Sequence, residues 1–252
     1  MQEKNPNSWV LQFRFLGIPV RIHPLIWVVL ALLGGAIEVD SGAGLLHLLL
    51  FIGAGMLALL VHELGHALVG RACGYGVPEV ELGALGGMTH FSAGPRNRSS
   101  LLLTVLAGPL ASLALGALAG LAFGCHIGAP LLGLKLAFLM PWMDVLPLDI
   151  QQALVLGLLG HPLPDLLIQG YTLVMVICFW WSVFNLLPIY PMDGGKVLAA
   201  LLNSYLIPAI VGLVLAAGLA IWSLCDARWF NFMILGYLAF LNYQYLRVLR
   251  RH

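Results

Sequence analysis

The feature that most constrains the fold of this chain is a series of long apolar segments separated by short polar ones. An α-helix needs about 20 apolar residues to cross the hydrocarbon core of a bilayer. Six segments reach or approach this length: residues 24–39, 44–72, 101–123, 166–187, 206–224 and 229–248. The sequence therefore predicts an all-α polytopic membrane protein with about six transmembrane helices, forming one transmembrane domain over residues 1–252.

The composition supports an integral membrane protein, with the lipid bilayer as its surroundings. Hydrophobic residues make up 61% of the chain and charged residues only 9%, whereas about 25% of residues are charged in soluble domains. No basic stretch accompanies the net charge of +1, so we expect no nucleic-acid partner. The four cysteines are widely spaced and predict neither a zinc ribbon nor an evident disulfide framework.

The basic residues predict the orientation of the helices. If the N-terminus is cytoplasmic, all but two of the 12 Lys and Arg residues lie in inner segments, as the positive-inside rule requires. The exceptions are Lys135 and Arg228. We therefore expect both termini in the cytoplasm and favour a prokaryotic plasma membrane over a eukaryotic organelle.

The second apolar segment contains the motif His62-Glu63-Leu64-Gly65-His66. On a helix, residues i and i+4 lie on one face, so His62 and His66 can bind a single metal ion. Glu63 is placed beside them as a general base that takes a proton from an attacking water. Charged groups at the bilayer centre are costly in free energy. A Zn²⁺ ion would provide a partner for all three side chains, those of His62, Glu63 and His66. The alternative is a pair of structural histidines hydrogen-bonded to protein.

The orientation also predicts the depth of this motif. Glu63 precedes Arg71, the expected marker of the cytoplasmic interface, by eight residues. At 1.5 Å per residue the motif lies roughly 12 Å below that surface. We therefore expect the site to lie nearer the cytoplasmic face and to draw its water from there.

Two segments fit neither a membrane span nor an ordinary loop. Residues 77–91 alternate apolar and polar side chains around Gly86-Gly87, which predicts a β-hairpin. It is either a membrane-associated re-entrant hairpin whose edge accepts a peptide strand or a cytoplasmic surface hairpin. Residues 127–165 contain two short apolar runs broken by prolines, and we expect them at the outer membrane face as interfacial helices or a gate.

A catalytic zinc site needs a third protein ligand, and Asp193 is the best candidate. It lies in a segment with Pro188, Pro191 and two glycines, where the prolines break the preceding helix and the glycines allow close backbone approach. Taken alone, such a turn more often holds an Asp that caps the next helix. Because this turn occurs in the same chain as the HExxH motif, we favour Asp193 as a metal ligand over Asp193 as a helix cap.

The two motifs together resemble the site-2 protease family of intramembrane zinc metalloproteases. The resemblance rests on HExxH at 62–66 and on NxxPxxxxDG at Asn185, Pro188, Asp193 and Gly194. The segment 17–24, the Gly-Gly hairpin and Ala107-Gly108-Pro109 also resemble that family, so the likeness covers most of the chain.

The resemblance implies a role for each of these residues. His62, His66 and Asp193 would hold one zinc ion, Glu63 would be the general base, and Asn185 would position the substrate or stabilise the oxyanion. The substrates would be transmembrane proteins, cut within or near their membrane-spanning segments, often in regulated intramembrane proteolysis.

The chain departs from the family pattern in two places. Many members have Asn shortly after Ala-Gly-Pro, where this chain has Ser112; either Ser112 supplies a weaker hydrogen bond or the position has no role here. No PDZ-like insertion or C-terminal regulatory domain is recognisable. We therefore expect substrate selection by the membrane part itself or by a separate regulatory membrane partner.

Two other functions could also use these residues. A transporter or channel would also use broken helices and intramembrane acids, but it predicts inverted repeats, and none is recognisable. A pseudoprotease that binds membrane segments without cutting them is expected to have lost Glu63 or a ligand, and all four groups are present. The sequence favours the protease.

Overall fold

The computed structural model of the chain describes residues 9–84, 86–145, 151 and 164–250. Most of these residues are helical, and the strands lie in the N-terminal part. The helices with both ends described are α1 (Pro24–Leu33), α2 (Gly42–Ala72), α3 (Arg98–His126), α4 (Pro130–Leu139), α5 (Asp165–Asn185), α6 (Asp193–Leu202), α7 (Leu206–Cys225) and α8 (Trp229–Leu249). Helix α4 and a 3₁₀ turn at Met140–Val145 fall within the predicted segment 127–165, and most of its remainder lies outside the described residues.

Four of the described helices, α2, α3, α5 and α7, are long and apolar enough to cross a membrane. Helix α1 has only 10 residues, or about 15 Å of helix, because it ends before Gly34 and Gly35, the latter with a φ of 81°. Helix α8 has 21 residues but includes the polar Asn242 and Gln244. The predicted count of six spanning helices is therefore supported for four.

The described residues also form a four-stranded β-sheet, which is larger than the single hairpin that the sequence predicts at residues 77–91. Its strands are β1 (Leu11–Phe15), β2 (Ile18–Ile22), β3 (Pro78–Gly83) and β4 (Gly86–Phe91), in that spatial order. Strands β1 and β2 are antiparallel, β2 and β3 parallel, and β3 and β4 antiparallel. The sequence prediction covered only the region of β3 and β4.

The N-terminal hairpin has a local signal that the prediction did not use. Strand β1 alternates apolar and polar residues, which is the period of a β-strand. Leu16 and Gly17 both have positive φ angles, 50° and 77°, as a two-residue hairpin turn of type I′ requires. The parallel pairing of Val20 with Val80 joins distant parts of the chain and has no such local signal.

One face of the sheet packs against α1 and α2. Strands β2 and β3 bury alternate residues on this face, and these side chains join apolar residues of both helices in one cluster. The cluster includes Ile18, Val20, Val80, Leu82, Ile26, Leu30, Leu59 and Leu64. The sheet is therefore fixed against the half of α2 that carries the His62–His66 motif.

The helices approach one another at small residues. A Cβ atom built on Gly65 of α2 would lie 2.5 Å from the Ala107 carbonyl oxygen of α3. A Cβ atom on Gly120 of α3 would lie 2.5 Å from the Gly133 carbonyl oxygen of α4. Close packing of this kind holds helices together in lipid, where no hydrophobic effect drives them together.

We predict that Gly120→Ala destabilises the protein because its methyl group would collide with the backbone of α4. Overpacking of this kind costs about 1–3 kcal/mol. The matched control is Gly53→Ala in α2, where the added atom would meet nothing within 4 Å. Thermal unfolding in detergent should show a lower Tm for Gly120→Ala only, and equal Tm values would contradict the close α3–α4 contact.

Candidate metal centre

His62 and His66 lie one turn apart on α2, and both side chains are buried, with 2% and 8% of their surface exposed. Their Nε2 atoms are 3.2 Å apart. The two rings stand edge to face, with centroids 4.8 Å apart. The helix therefore aims two imidazole nitrogens at one point, as the motif predicts.

Asp193 brings a carboxylate to the same point from the first residue of α6. Its Oδ2 atom lies 3.1 Å from the Nε2 atoms of both His62 and His66. The three atoms thus form a nearly equilateral triangle. Zinc binds nitrogen and carboxylate oxygen at about 2.0–2.2 Å in tetrahedral geometry, which places neighbouring ligand atoms roughly 3.3 Å apart. The triangle fits such an ion.

Hydrogen bonding around His66 also favours a cation. Its Nδ1 lies 2.7 Å from the carbonyl oxygen of Thr104, and because a carbonyl can only accept, this nitrogen carries the proton. In the neutral imidazole, Nε2 then presents a lone pair to the Asp193 carboxylate. Such opposed lone pairs in a buried site repel unless a cation lies between them.

His62 and Asp193 have polar partners on their outer sides too. Ser112 Oγ, fully buried in α3, lies 3.2 Å from His62 Nδ1. Lys196 Nζ donates to Asp193 Oδ1 at 3.1 Å. The position where the family often has Asn is therefore a contact of His62 in this chain. Partners of this kind fix the orientation of metal ligands.

Asp193 remains a carboxylate in this environment. Burial by itself would raise the pKa of the Asp193 carboxyl, but the adjacent imidazoles of His62 and His66 and the charge of Lys196 hold that pKa well below its ordinary range. The aspartate therefore supplies a negative charge to the centre over the whole physiological pH range.

Glu63 points from α2 towards β4, where two residues define its position. Thr89 Oγ1 donates to Glu63 Oε2 at 2.7 Å and is also 3.1 Å from the Glu63 carbonyl oxygen. A Cβ atom on Gly87 would lie 2.6 Å from Glu63 Cδ, so only glycine leaves room for this side chain. The ligand-type atoms of His62, Glu63 and His66 lie within 4.8 Å of one another, which places the carboxylate next to the centre.

The contact of Thr89 with Glu63 was not anticipated from the sequence. The alternation of β4 contains a partial signal, since Gly87, Thr89 and Phe91 share the face that meets α2. Which residue of α2 each one meets depends on how the sheet is placed on the helix. That placement is a tertiary property.

Asn185 is the one predicted site residue that the described contacts do not join to the centre. It is the last residue of α5, and its Nδ2 donates to the Trp181 carbonyl oxygen of the same helix at 2.8 Å. The structure therefore groups His62, Glu63, His66 and Asp193, while Asn185 lies at the start of the segment that leads to Asp193.

This segment packs tightly against the start of α6. Cβ atoms on Gly194 or Gly195 would collide with the backbone of residues 186–187 and of Ile189 and Tyr190, respectively. The two glycines thus allow the chain to fold back on itself immediately after Asp193. The predicted break of the helix and close backbone approach are both present.

Comparison with known proteins points to one family. Residues 50–222, more than two thirds of the chain, match the model of peptidase family M50. The chain is 25% identical over 199 residues to a zinc metalloprotease of Methanocaldococcus jannaschii, covering 78% of this chain and 46% of that protein. It is 32% identical over 160 residues to the probable chloroplastic zinc metalloprotease EGY2 of Oryza sativa, covering 56% of this chain and 27% of that protein. The chain thus spans less than half the length of these relatives.

A solved structure shares the fold. The site-2 protease from Methanocaldococcus jannaschii superposes with a TM-score of 0.57 and 23% sequence identity, over 94% of this chain and 95% of that chain. At this identity the likeness concerns the fold alone.

We predict that Gly108→Ala abolishes metal binding. Gly108 of α3 faces His66, and an added methyl group would occupy the space of the imidazole edge that carries Nε2. The purified wild type should contain about one zinc ion per chain, and the variant should contain little. Zinc content measured by atomic absorption tests this, with Gly53→Ala as the control that retains its metal.

Proposed function

The chain belongs to peptidase family M50, and from this premise we propose that it is an intramembrane zinc metalloprotease. The observation that carries the proposal is the buried triangle of His62 Nε2, His66 Nε2 and Asp193 Oδ2, with edges of 3.1–3.2 Å. We assign these three residues as the zinc ligands. Three protein ligands leave a fourth position open, as in catalytic rather than structural zinc sites.

Zinc bound here would lower the pKa of its water towards 7 and polarise the scissile carbonyl. Glu63 takes the proton of the attacking water and returns it to the leaving amine. Thr89 holds the carboxylate of Glu63 at 2.7 Å, so the base does not have to be ordered when the substrate binds. Gly87 leaves the space into which this carboxylate fits.

Asn185 remains our candidate for contact with the substrate or the oxyanion. Its amide group donates to the carbonyl oxygen of Trp181, which leaves one N–H and the carbonyl oxygen for other partners. Its place at the C-terminal end of α5, beside the segment leading to Asp193, supports the assignment made from the motif.

Strand β4 is the candidate platform for the peptide. It is the last strand in the sheet order, so within the described residues one of its edges has no strand partner. A peptide bound there would be extended, with its carbonyl groups freed from helical hydrogen bonds, as hydrolysis requires. The same strand touches Glu63 through Thr89, which brings such a peptide close to the general base.

The apolar surroundings of the site support a proposal for the substrate class. His62 and Glu63 are buried within a 31-residue apolar helix. We therefore propose that the substrates are transmembrane segments of other proteins, cut during regulated intramembrane proteolysis under the control of a separate membrane partner. The distribution of the basic residues supports the proposal that both termini are cytoplasmic and that the site lies nearer the cytoplasmic face, and we propose a prokaryotic plasma membrane as the location.

The first test of this function is the variant Glu63→Gln, assayed beside wild type on a panel of single-span membrane proteins with and without a zinc chelator. Loss of the general base should lower cleavage by about 10²–10⁴-fold while zinc content stays at the wild-type level. Chelation should abolish wild-type cleavage. The proposed metalloprotease function would be refuted if the variant cleaved at the wild-type rate or if the purified wild type contained no zinc.

A second test addresses the contact between Thr89 and Glu63. Thr89→Val keeps the shape of the side chain but removes the donor, so kcat should fall about tenfold or more because the base is no longer oriented. KM and zinc content should stay near wild type. Thr89→Ser keeps the hydroxyl and should recover most of the rate. Equal kcat values for the Val variant and wild type would show that Thr89 does not orient the base.

A further inference from the structure

A buried asparagine in α8 contacts the segment that leads to Asp193. Asn242 is 0% exposed. Its Nδ2 donates to the carbonyl oxygen of Tyr190 at 2.6 Å, and its Oδ1 accepts from the backbone N–H of Tyr190 at 3.2 Å. One side chain therefore satisfies both backbone polar groups of a single residue.

The surroundings of Asn242 are shaped to keep this contact. Gly212 of α7 faces the amide, and a Cβ atom there would collide with Asn242 Oδ1 and lie 3.1 Å from Ile189 Cα. The ring of Tyr245, also on α8, stacks on the ring of Tyr190 with centroids 4.4 Å apart and planes 4° apart. Helix α8 thus contacts Tyr190 twice, with Asn242 on its backbone and Tyr245 on its side chain.

A short and compact segment of chain connects Tyr190 to Asp193. Tyr190 precedes Asp193 by three residues. The N–H of Met192, the residue before Asp193, donates to the carbonyl oxygen of Ile189, the residue before Tyr190, at 2.9 Å. Gly195 packs so closely on Tyr190 that a Cβ atom would lie 2.8 Å from the Tyr190 nitrogen. The first turn of α6 thus packs directly against Tyr190.

Burial of the polar side chain of Asn242 in α8 is unfavourable in free energy unless its polar atoms are hydrogen-bonded. An asparagine buried among apolar residues without partners is unfavourable by several kcal/mol on apolar transfer scales, so its hydrogen bonds decide its conformation. Besides Tyr190, its partner among the described residues is the Leu238 carbonyl oxygen of its own helix, at 2.8 Å. The Tyr190 backbone is thus the contact that Asn242 makes outside α8.

We infer that Asn242 is a positioning residue of the metal centre: it holds Tyr190 and thereby places the Asp193 carboxylate against His62 and His66. This inference rests on the proposed zinc site and adds to it a residue from α8, which lies beyond the residues matched by the family model, 50–222. It predicts that α8 contributes to zinc affinity although it supplies no ligand.

The test is the rate at which the purified full-length protein, loaded with zinc, loses its metal to a chelator. Asn242→Leu keeps the volume but releases Tyr190, and zinc loss should be about 10–100-fold faster, as for other residues that orient metal ligands. Leu235→Ala, which removes a buried side chain two turns away on α8, is the control for general loosening of the helix. It should release zinc at the wild-type rate.

A second pair of variants tests the same contact from α7 and does not leave Tyr190 without partners. The methyl group added by Gly212→Ala would collide with Asn242 and lie close to Ile189, whereas the methyl group added by Gly218→Ala on the same helix would have no neighbour within 4 Å. Gly212→Ala should release zinc faster than Gly218→Ala. The visible spectrum of the cobalt-substituted protein should also change for Gly212→Ala only, because a displaced Asp193 alters the coordination geometry.

The possible failures are distinguishable. If wild type holds no zinc, or if His66→Ala retains it with wild-type kinetics, the proposed metal site is wrong. If His66→Ala loses zinc but Asn242→Leu and Gly212→Ala release it no faster than their controls, the site stands and the role of Asn242 is refuted. Should Asn242→Leu fail to fold, the comparison of Gly212→Ala with Gly218→Ala decides the question.

Discussion

The convergence of two imidazole nitrogens and one carboxylate oxygen in an apolar interior is the interaction on which the rest of this structure depends. His62 Nε2, His66 Nε2 and Asp193 Oδ2 lie 3.1–3.2 Å from one another, and all three side chains are buried. Atoms that present lone pairs do not approach in this way without a positive charge between them. A buried carboxylate also has to be paired to remain charged. A zinc ion bound by these three groups, as proposed above, would meet both requirements, and the surrounding elements orient the three groups.

Each member of the site is oriented by a different part of the fold. Helix α3 contacts both histidines, through the Thr104 carbonyl oxygen and the Ser112 hydroxyl. Strand β4 orders Glu63 through Thr89. Lys196 holds the outer oxygen of Asp193, and α8 fixes the chain before it through Asn242. The sheet and the helices thus act together as a support for a few side chains, a common property of metal sites.

Small residues make this arrangement sterically possible. Gly65 lets α3 approach α2, Gly108 leaves space for the ring of His66, and Gly87 leaves space for Glu63. In lipid, close backbone contact of this kind replaces the hydrophobic effect as a source of helix association. Glycines therefore serve the packing of the helices at one position and the fit of the site at others.

Much of this organisation could be predicted from local patterns. The apolar segments predicted the helices, and the two motifs predicted the family and the grouping of His62, Glu63, His66 and Asp193, because helical spacing and the proline-glycine turn are local properties. The six-span count was supported for four helices, since α1 ends before Gly34 and Gly35 and polar residues lower the apolar character of α8. The roles of the site residues, with Asn185 among them, remain proposals.

The sequence by itself determined which segments are apolar, where the candidate metal-binding groups lie along the chain and which chemistry those groups suit. Tertiary structure alone decided that β2 pairs with β3 across more than 50 residues, that Thr89 meets Glu63 and that Asn242 meets Tyr190. The physical reason is that helical and strand periodicity repeat every few residues, so a short stretch of sequence is enough to predict them. The choice of partner between distant segments depends on how whole helices and sheets pack, and no local pattern encodes it.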